Sequence, residues 1–596
     1  MNRELKIRED IKEEFKWDIE KIFNSSKEWE DEFEKIKKDS LKLKDYNGML
    51  NNPKELLDFL NLDENISRRS EKLYVYAHLK SDEDTQNNEN QGRMNRIDSY
   101  ISEISSYSAF FVPEILDLGE NYIKEAIEKE KELKMYSFMF SNILSEKEHV
   151  LTKEMEELLA QVSDCLDSPS NIQGILSNAD MTFPKTINDD NEEVTLTEAN
   201  YSSFIKSKDV KVRSEAFKKL FKEYDKLKNT FATTLTASLK NYIFLSKTRK
   251  YKDSLDMALK PNKIPKSVYE GAIETINSNL ESLHRYVKIK KKLLNLDEIH
   301  MYDLYVPVID TPKEEISFDF GVETILKALK PLGDEYLNIF EEGIKNRWID
   351  IYPNKGKRGG AYSWGCYDTM PYVLLNYTEE LNDVSTLAHE MGHSIHSFYS
   401  RLSQPYIYAG YTIFCAEIAS TTNEKLLINY LIENEKDKNK KLYLINQELE
   451  QIRTTVFRQL MFAEFELWSH REIESGNSLT ASEYSNKWLE LNKKYFGEDI
   501  IVDDDIKVEW ARIPHFYSDF YVYQYATGYA AASAFSNSIL NNEKNAVNKY
   551  IDFLKSGGSD YPIEILKKSG VDMTTSKPLL ETIKRFDELL DMLEEL

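Results

Sequence analysis

Five consecutive residues, His389-Glu390-Met391-Gly392-His393, carry the clearest chemistry in the sequence. They read H-E-x-x-H. On an α-helix, residues four apart share one face, one turn above each other. Two imidazoles so placed can bind one zinc ion, and the Glu beside the first His lies close enough to act on a water that the ion activates. His396 follows on the same stripe. Seven residues of helix rise about 10.5 Å, too far for all three rings to close on one ion with bonds near 2 Å. His396 is therefore expected to support the ligands from behind rather than bind the ion.

A catalytic zinc site needs a third protein ligand and one open position. The segment Phe414-Cys415-Ala416-Glu417-Ile418-Ala419-Ser420-Thr421-Thr422-Asn423-Glu424 offers two carboxylates on one helix face. Glu417 stands among small and apolar residues, where a carboxylate is costly unless it binds something. It is the expected third ligand. Glu424, two turns on, can accept a hydrogen bond from a ligand histidine and fix its tautomer. Residues 514–529 are rich in tyrosine. His515, Tyr517, Tyr521, Tyr523 and Tyr525 are candidate donors to the oxyanion of peptide hydrolysis, although an aromatic stripe of this kind also suits a core.

The helix bearing the motif is expected to start near Asn382 or Asp383, both good N-cap types. Val384, Leu387, Ala388, Met391, Ile395 and Phe398 form its apolar side. Residues 10 to about 175 read as successive amphipathic helices with polar breaks at Asn47-Gly48, Asn51-Asn52-Pro53 and Ser81 to Gly92. Residues 179–198 read as a β-hairpin with the polar turn Asn188-Asp189-Asp190-Asn191. This places the end of an N-terminal helical lobe, residues 1–195, ahead of a catalytic domain, residues 196–596. Tyr269, Ile273, Ile276, Leu280, Leu283 and Val287 step by three and four and are expected in the core. Short strands are expected at Met301–Val306 and Pro371–Tyr377. The turn Gly356-Lys357-Arg358-Gly359-Gly360 lacks the G-K-[ST] ending of a phosphate loop, which excludes nucleotide binding there.

The 596 residues carry a formal net charge of −25, which argues against a phosphate-tracking nucleic-acid binder. Hydrophobic residues make up 41%, enough for a buried interior. The three cysteines, Cys165, Cys366 and Cys415, match neither a disulfide framework nor a Cys-type zinc site. No apolar run spans a bilayer and the N-terminus shows no apolar signal segment, so the expected location is the cytoplasm, with no membrane partner.

Together these residues resemble the thimet-oligopeptidase-like zinc peptidases. His389 to His396 is similar to their H-E-[FY]-G-H-x-x-H signature, with Met391 in place of the aromatic. The Glu417-to-Ser420 segment and Glu424 match the third-ligand helix. The closer resemblance is to the bacterial oligoendopeptidase F type, through Gly356 to Tyr362, Pro514-His515-Phe516-Tyr517, Tyr523 to Gly528, and Gly557-Gly558-Ser559-Asp560-Tyr561-Pro562. It covers most of residues 180–590. The resemblance implies a mainly α fold, a two-lobed helical shell around a deep channel with a small β-sheet next to the zinc-site helix. It implies one zinc ion per chain held by His389, His393 and Glu417, and Glu390 as general base. His515 with Tyr521, then Tyr525, are the implied oxyanion donors. Gly359, Gly360 and Ala361, with Leu374 and Leu375, are expected to present backbone groups to a bound peptide as to an added strand. The expected activity is endopeptidase cleavage of short unfolded oligopeptides. Two rivals remain: a zinc carboxydipeptidase using Arg512 or Arg453 to hold a terminal carboxylate, and a non-catalytic peptide-binding protein. Oligomeric state is not legible.

Overall fold

The computed structural model describes residues 5–309 and 314–595. The chain is mainly helical, with two small sheets. The expected hairpin forms as β1 (Lys185–Ile187) antiparallel to β2 (Glu193–Thr195). Its turn is fixed by the Asn188 side chain, which accepts from the N–H groups of Asp190 and Glu192. The second sheet comprises β3 (Ile349–Asp350), β4 (Tyr362–Trp364) and β5 (Tyr372–Leu374), in the order β3-β5-β4. β5 lies in the middle, parallel to β3 and antiparallel to β4, with Ile349 opposite Val373 and Tyr362 opposite Leu374.

The chain divides into two compact units, each assembled from three segments. One comprises Met1–Lys147, Lys313–Tyr430 and Phe535–Gly570. The other comprises Glu148–Pro312, Leu431–Ala534 and Val571–Leu596. The break expected at residue 195 does not coincide with these limits. The helix Lys153–Ile175 joins the second unit because it packs on the 39-residue helix Val210–Thr248, where Asn241 Nδ2 donates to the Leu166 carbonyl at 2.7 Å. The stripe from Tyr269 to Val287 is buried as expected, but over two helices, Lys266–Asn277 and Leu280–Leu293. Met301–Val306 is not a strand. Met301–Asp303 forms a 3₁₀ turn, because the Asp303 carboxylate accepts from the His300 N–H and from Arg213 Nε at 2.6 Å.

Four helices matter for the site: α1 (Pro53–Glu83), α2 (Leu381–Ser403), α3 (Ile413–Asn434) and α4 (Ala546–Ser556), all in the first unit except the last four residues of α3. Asn52 caps α1, with Pro53 at its first position. Helix α2 starts slightly earlier than expected. Glu380 is its N-cap, and Asp383 serves as the reciprocal partner of a capping box, accepting from the Glu380 N–H at 3.0 Å. Helix α4 packs along α2.

The glycine-rich turn ahead of β4 is held by buried charge. Lys357 Nζ lies 2.7 Å from Asp350, and Arg8 reaches the same carboxylate at 2.6 Å. Burial would raise the Asp350 carboxyl, but Lys357 and Arg8 outweigh it and hold it below its ordinary range. Lys357 also donates to the carbonyls of Asp350 and Tyr352. Its ammonium is consumed by structure, consistent with the exclusion of a phosphate loop.

Candidate metal centre

Helix α2 places His389 and His393 one turn apart, and their Nε2 atoms converge at 3.2 Å. Glu417, from α3, brings Oε2 to 3.4 Å from each. An ion bound tetrahedrally with bonds of 2.0–2.1 Å separates its ligand atoms by about 3.3–3.4 Å. The triangle of donors therefore has the dimensions of one face of a zinc coordination tetrahedron. Two imidazole nitrogens and one carboxylate oxygen are also the donor chemistry that ion prefers, with a fourth position left over. Among the described residues this is the one cluster of His, Cys, Asp or Glu whose donor atoms lie close enough to hold a metal. The three side chains are partly exposed.

The other ring nitrogen of His389 faces Glu424, Nδ1 to Oε2 at 3.4 Å. A carboxylate there fixes the ring with Nε2 free to bind. Without an ion the site is strongly coupled. Burial disfavours charge on His389, but Glu424, Glu390 and Glu417 outweigh it and push the imidazole up to about 9. Burial opposes ionisation of Glu417 too, yet the two imidazoles and the Ser420 hydroxyl pull its carboxyl down to about 2. Glu390 is 7% exposed. There burial dominates and raises the carboxyl above its ordinary value despite the neighbouring imidazoles. A carboxylate with a raised pKa takes up a proton more readily than an ordinary one.

Close packing of α2 on α3 sets this geometry, and it rests on residues other than the donors themselves. Gly392 is one. A Cβ there would lie 2.6 Å from Ser420 Cα and 2.9 Å from the Ala419 carbonyl, so any larger residue forces α3, and Glu417 with it, away. Asn423, fully buried, bridges the helices, donating to the Ala388 carbonyl at 3.0 Å and accepting from Tyr336 at 2.8 Å. Ser420 Oγ donates to Glu417 Oε2 at 3.0 Å. Ser420 follows Glu417 by three on its helix, so sequence spacing could have found it. Asn423 and Gly392 act across the chain, and spacing alone gives no sign of them.

His396 is 1% exposed. Its ring lies flat on Tyr411, centroids 3.8 Å apart, and against Phe553, and its Nδ1 has no hydrogen-bond partner. Burial, with the nearby His393, pushes it down to about 3. In the unfolded chain it protonates near its ordinary 6.5. The unfolded state thus gains a proton that the folded state refuses between those values, and stability falls as pH drops through that window. His396→Phe keeps the stack and removes the proton site. Its acid-unfolding midpoint, followed by circular dichroism, is expected at lower pH than that of the parent; an unchanged midpoint would assign acid lability elsewhere.

In the second unit, His515, Tyr521 and Tyr525 come together. The His515 ring centroid lies 6.4 Å from Tyr521 and 6.0 Å from Tyr525, and the two tyrosines are 5.3 Å apart. All three are partly exposed. Burial holds His515 below its ordinary value, so its ring is neutral and carries one N–H at neutral pH. Tyr517 turns away to bond Thr234 at 2.8 Å, and Tyr523 is buried against Tyr269. The segment thus divides between core and site. Phe520, between His515 and Tyr521, has φ +57° and donates its N–H to buried Glu466 at 2.7 Å.

The strand residues need one correction. Leu374 and Leu375 lie on or beside β5, whose two edges are taken by β3 and β4, and the Leu375 N–H is already bonded to Asp350. They cannot pair with an added strand along that stretch. The edge left open is that of β4, which Gly359, Gly360 and Ala361 lead into. Asn376 Nδ2 donates to the carbonyls of Arg358 and Gly360 and holds that approach. Both cations considered for a terminal carboxylate are engaged. Arg512 forks onto Glu198, and buried Arg453 pairs with Glu450 at 2.7 Å. No helix of the described residues is long and apolar enough to cross a membrane.

The sequence model described as peptidase family M3 matches residues 203–585, and the one described as oligopeptidase F matches residues 114–183. The chain is 45% identical to oligopeptidase PepF of Bacillus subtilis over 594 residues, covering 100% of this chain and 89% of that protein. It is 38% identical to group B oligopeptidase PepB of Streptococcus agalactiae, covering 99% and 98% of the two chains. Among solved structures, oligoendopeptidase-F from Enterococcus faecium superposes with a TM-score of 0.75 at 37% identity, over 96% of this chain and 98% of that one. A structure from Chlamydophila abortus superposes with a TM-score of 0.93 at 36% identity, over 99% and 100%. The paired histidines and the carboxylate on the following helix thus sit in a chain that belongs, over nearly its whole length, to metallopeptidase family M3 and its oligopeptidase F branch.

Proposed function

We propose that the chain is a zinc-dependent endopeptidase that cleaves internal bonds of short, unfolded oligopeptides. The observation that carries this reading is the donor triangle of His389 Nε2, His393 Nε2 and Glu417 Oε2, with sides of 3.2, 3.4 and 3.4 Å and the buried Glu390 beside the first ligand. His389, His393 and Glu417 hold the ion, and Glu424 accepts from the far side of His389. A bound zinc ion supplies Lewis acidity, which polarises the scissile carbonyl and lowers the pKa of water toward neutrality. Glu390 removes the proton of the attacking water and returns it to the leaving amine. The His515 N–H and the Tyr521 hydroxyl, with Tyr525 beside them, donate to the developing oxyanion. The substrate backbone adds to the open edge of β4. The three cysteines are unpaired, in keeping with action in the cytoplasm.

The carboxydipeptidase alternative is less well supported, since Arg453 and Arg512 both already serve carboxylates. Mass spectrometry of a mixed-length peptide digest tests the proposal. Internal cleavage is expected that stops with a chelator, returns with zinc and persists on C-terminally amidated peptides. Removal of C-terminal dipeptides alone, abolished by amidation, would replace the proposal with its rival.

A further inference from the structure

The open edge of β4 faces a cleft of about 810 Å³ that lies wholly within the first unit. One wall is a face of α1, with Ser67, Ser70, Glu71 and Tyr74 at helical spacing; Ser397 and Arg401 of α2 form another. The same face of α1 continues to His78 and Asp82, which grip β4 itself. His78 packs on Trp364, centroids 4.4 Å apart, and the Tyr362 hydroxyl donates to Asp82 at 2.7 Å. Helix α1 therefore runs along the strand and past its end, and the cleft continues the line of the strand edge.

The cleft carries one carboxylate without a cation. Glu71 accepts from the Tyr406 hydroxyl at 2.6 Å and forms no ion pair among the described residues. Burial accordingly pushes its carboxyl above the ordinary range, against the pull of Tyr406 and Arg401. Two cations stand near Glu71, but neither pairs with it. Arg401 Nη2 donates to the Gly365 carbonyl at 2.8 Å while its Nη1 is buried with no hydrogen-bond partner and its charge pulls on Glu71, and Arg68 pairs with Asp368 at 2.5 Å. Next to Glu71 in the cleft wall, Ser70 is 6% exposed and its hydroxyl has no partner. A partly buried carboxylate lacking a counter-ion, beside a buried hydroxyl lacking a partner, matches a ligand with several N–H donors and a positive charge.

We propose that this cleft receives an ammonium group of the peptide substrate, with Glu71 as its counter-ion and Ser70 Oγ as a neutral acceptor. The proposal rests on the reading of β4 as the edge that substrate joins. It makes Glu71 a specificity-determining residue. β4 and α2 advance in the same direction, since Ser363 Oγ meets Ser394 Oγ at 2.8 Å and the Gly365 carbonyl meets Arg401. A peptide antiparallel to β4 has its amino end in the cleft and runs toward His393. From His393 to Arg401 the helix rises about 12 Å, which three or four extended residues at about 3.3 Å each would span. The ammonium is then the free amino terminus of a peptide with three or four residues before the scissile bond, or a lysine side chain at that position.

The test uses the zinc-loaded full chain and peptides sharing one cleavage sequence, with two to six residues before the bond. Each is made with a free or an acetylated amino terminus, and the acetylated set is repeated with lysine at the third or fourth position. For the wild type, kcat/KM is expected to favour the free amino terminus by about tenfold at three or four residues and less at other lengths. Glu71→Gln is expected to bring that ratio close to one. Recovery on the acetylated lysine peptides assigns the ammonium to a side chain; no recovery assigns it to the terminus. Equal handling of free, acetylated and lysine peptides by the wild type overturns the proposal whatever the variant does, as does a preference that survives Glu71→Gln. Calorimetric binding of the same peptides to zinc-loaded Glu390→Gln reads the ammonium effect without turnover. A failure of the peptidase reading, with no peptide cut, is thereby told apart from a failure of this one.

Discussion

Glu390→Gln is expected to lower kcat by about a thousandfold, within the range that general acid–base groups contribute, while the protein keeps a full complement of metal. The substitution preserves size and removes only the ability to take a proton. Glu390 donates nothing to the triangle of His389, His393 and Glu417, so those donors keep their places. The buried position of Glu390 sharpens the expectation. A carboxylate 7% exposed beside two imidazoles costs stability as an anion, and the neutral amide should leave the fold as stable or more so. Metal analysis, a thermal melt and turnover on one peptide check all three statements. Wild-type turnover by a preparation free of other proteases would remove Glu390 from the reaction.

The second large effect is expected on metal affinity. Glu417→Ala takes away one of three donors and should leave the dialysed protein without stoichiometric zinc and without activity. Glu424→Ala removes only the partner of His389 Nδ1 and should weaken affinity by about 10- to 100-fold, the usual cost of losing such a group. The order matters more than either value, because Glu417 and Glu424 are both acids on one helix face and the order of loss is what separates ligand from partner. Competition titration against a chromophoric chelator measures both. Full occupancy in Glu417→Ala, or an equal loss in the two variants, would contradict the ligand set.

The candidate centre was legible to the extent that its chemistry is local. His389, Glu390 and His393 lie within one helical turn, so period and residue type fix their mutual geometry before any fold is known. Glu417 was recoverable because an acid among small and apolar residues needs a reason. The parts that escaped are those whose meaning depends on a distant neighbour. Gly392 reads as an ordinary motif glycine until Ser420 lies against it, and Asn423 as an ordinary helix residue until it meets Ala388 and Tyr336. The strand residues show the same limit. Within the strand expected over Pro371–Tyr377, Tyr372 to Leu374 form one, but which strand lies at the edge is a property of sheet order, and β5 proved central. Asp303 turned an apparent strand into a 3₁₀ turn through Arg213, far away in sequence. The fold class was evident from helical periodicity, whereas the division into units was not, since each unit gathers three separated segments.

That interleaving bears on how the protein is made. The unit that holds the proposed metal ligands also contains α4, which packs along α2 and supplies the Phe553 ring that covers His396. Gly557 and Gly558, just after α4, press against the backbone at Tyr408 and Gly410, and Tyr561 bonds Asn142. All of this emerges from the ribosome after residues 425–545, at about 5–20 residues per second a delay of roughly six to twenty-four seconds. Through that interval His389, His393, Glu417 and Glu424 are already synthesised but lack the packing that holds them in register. The binding site therefore matures close to the end of translation. On the proposed ligand set, the nascent chain holds the same donors without their fixed spacing, so selection of the correct ion falls to the completed fold.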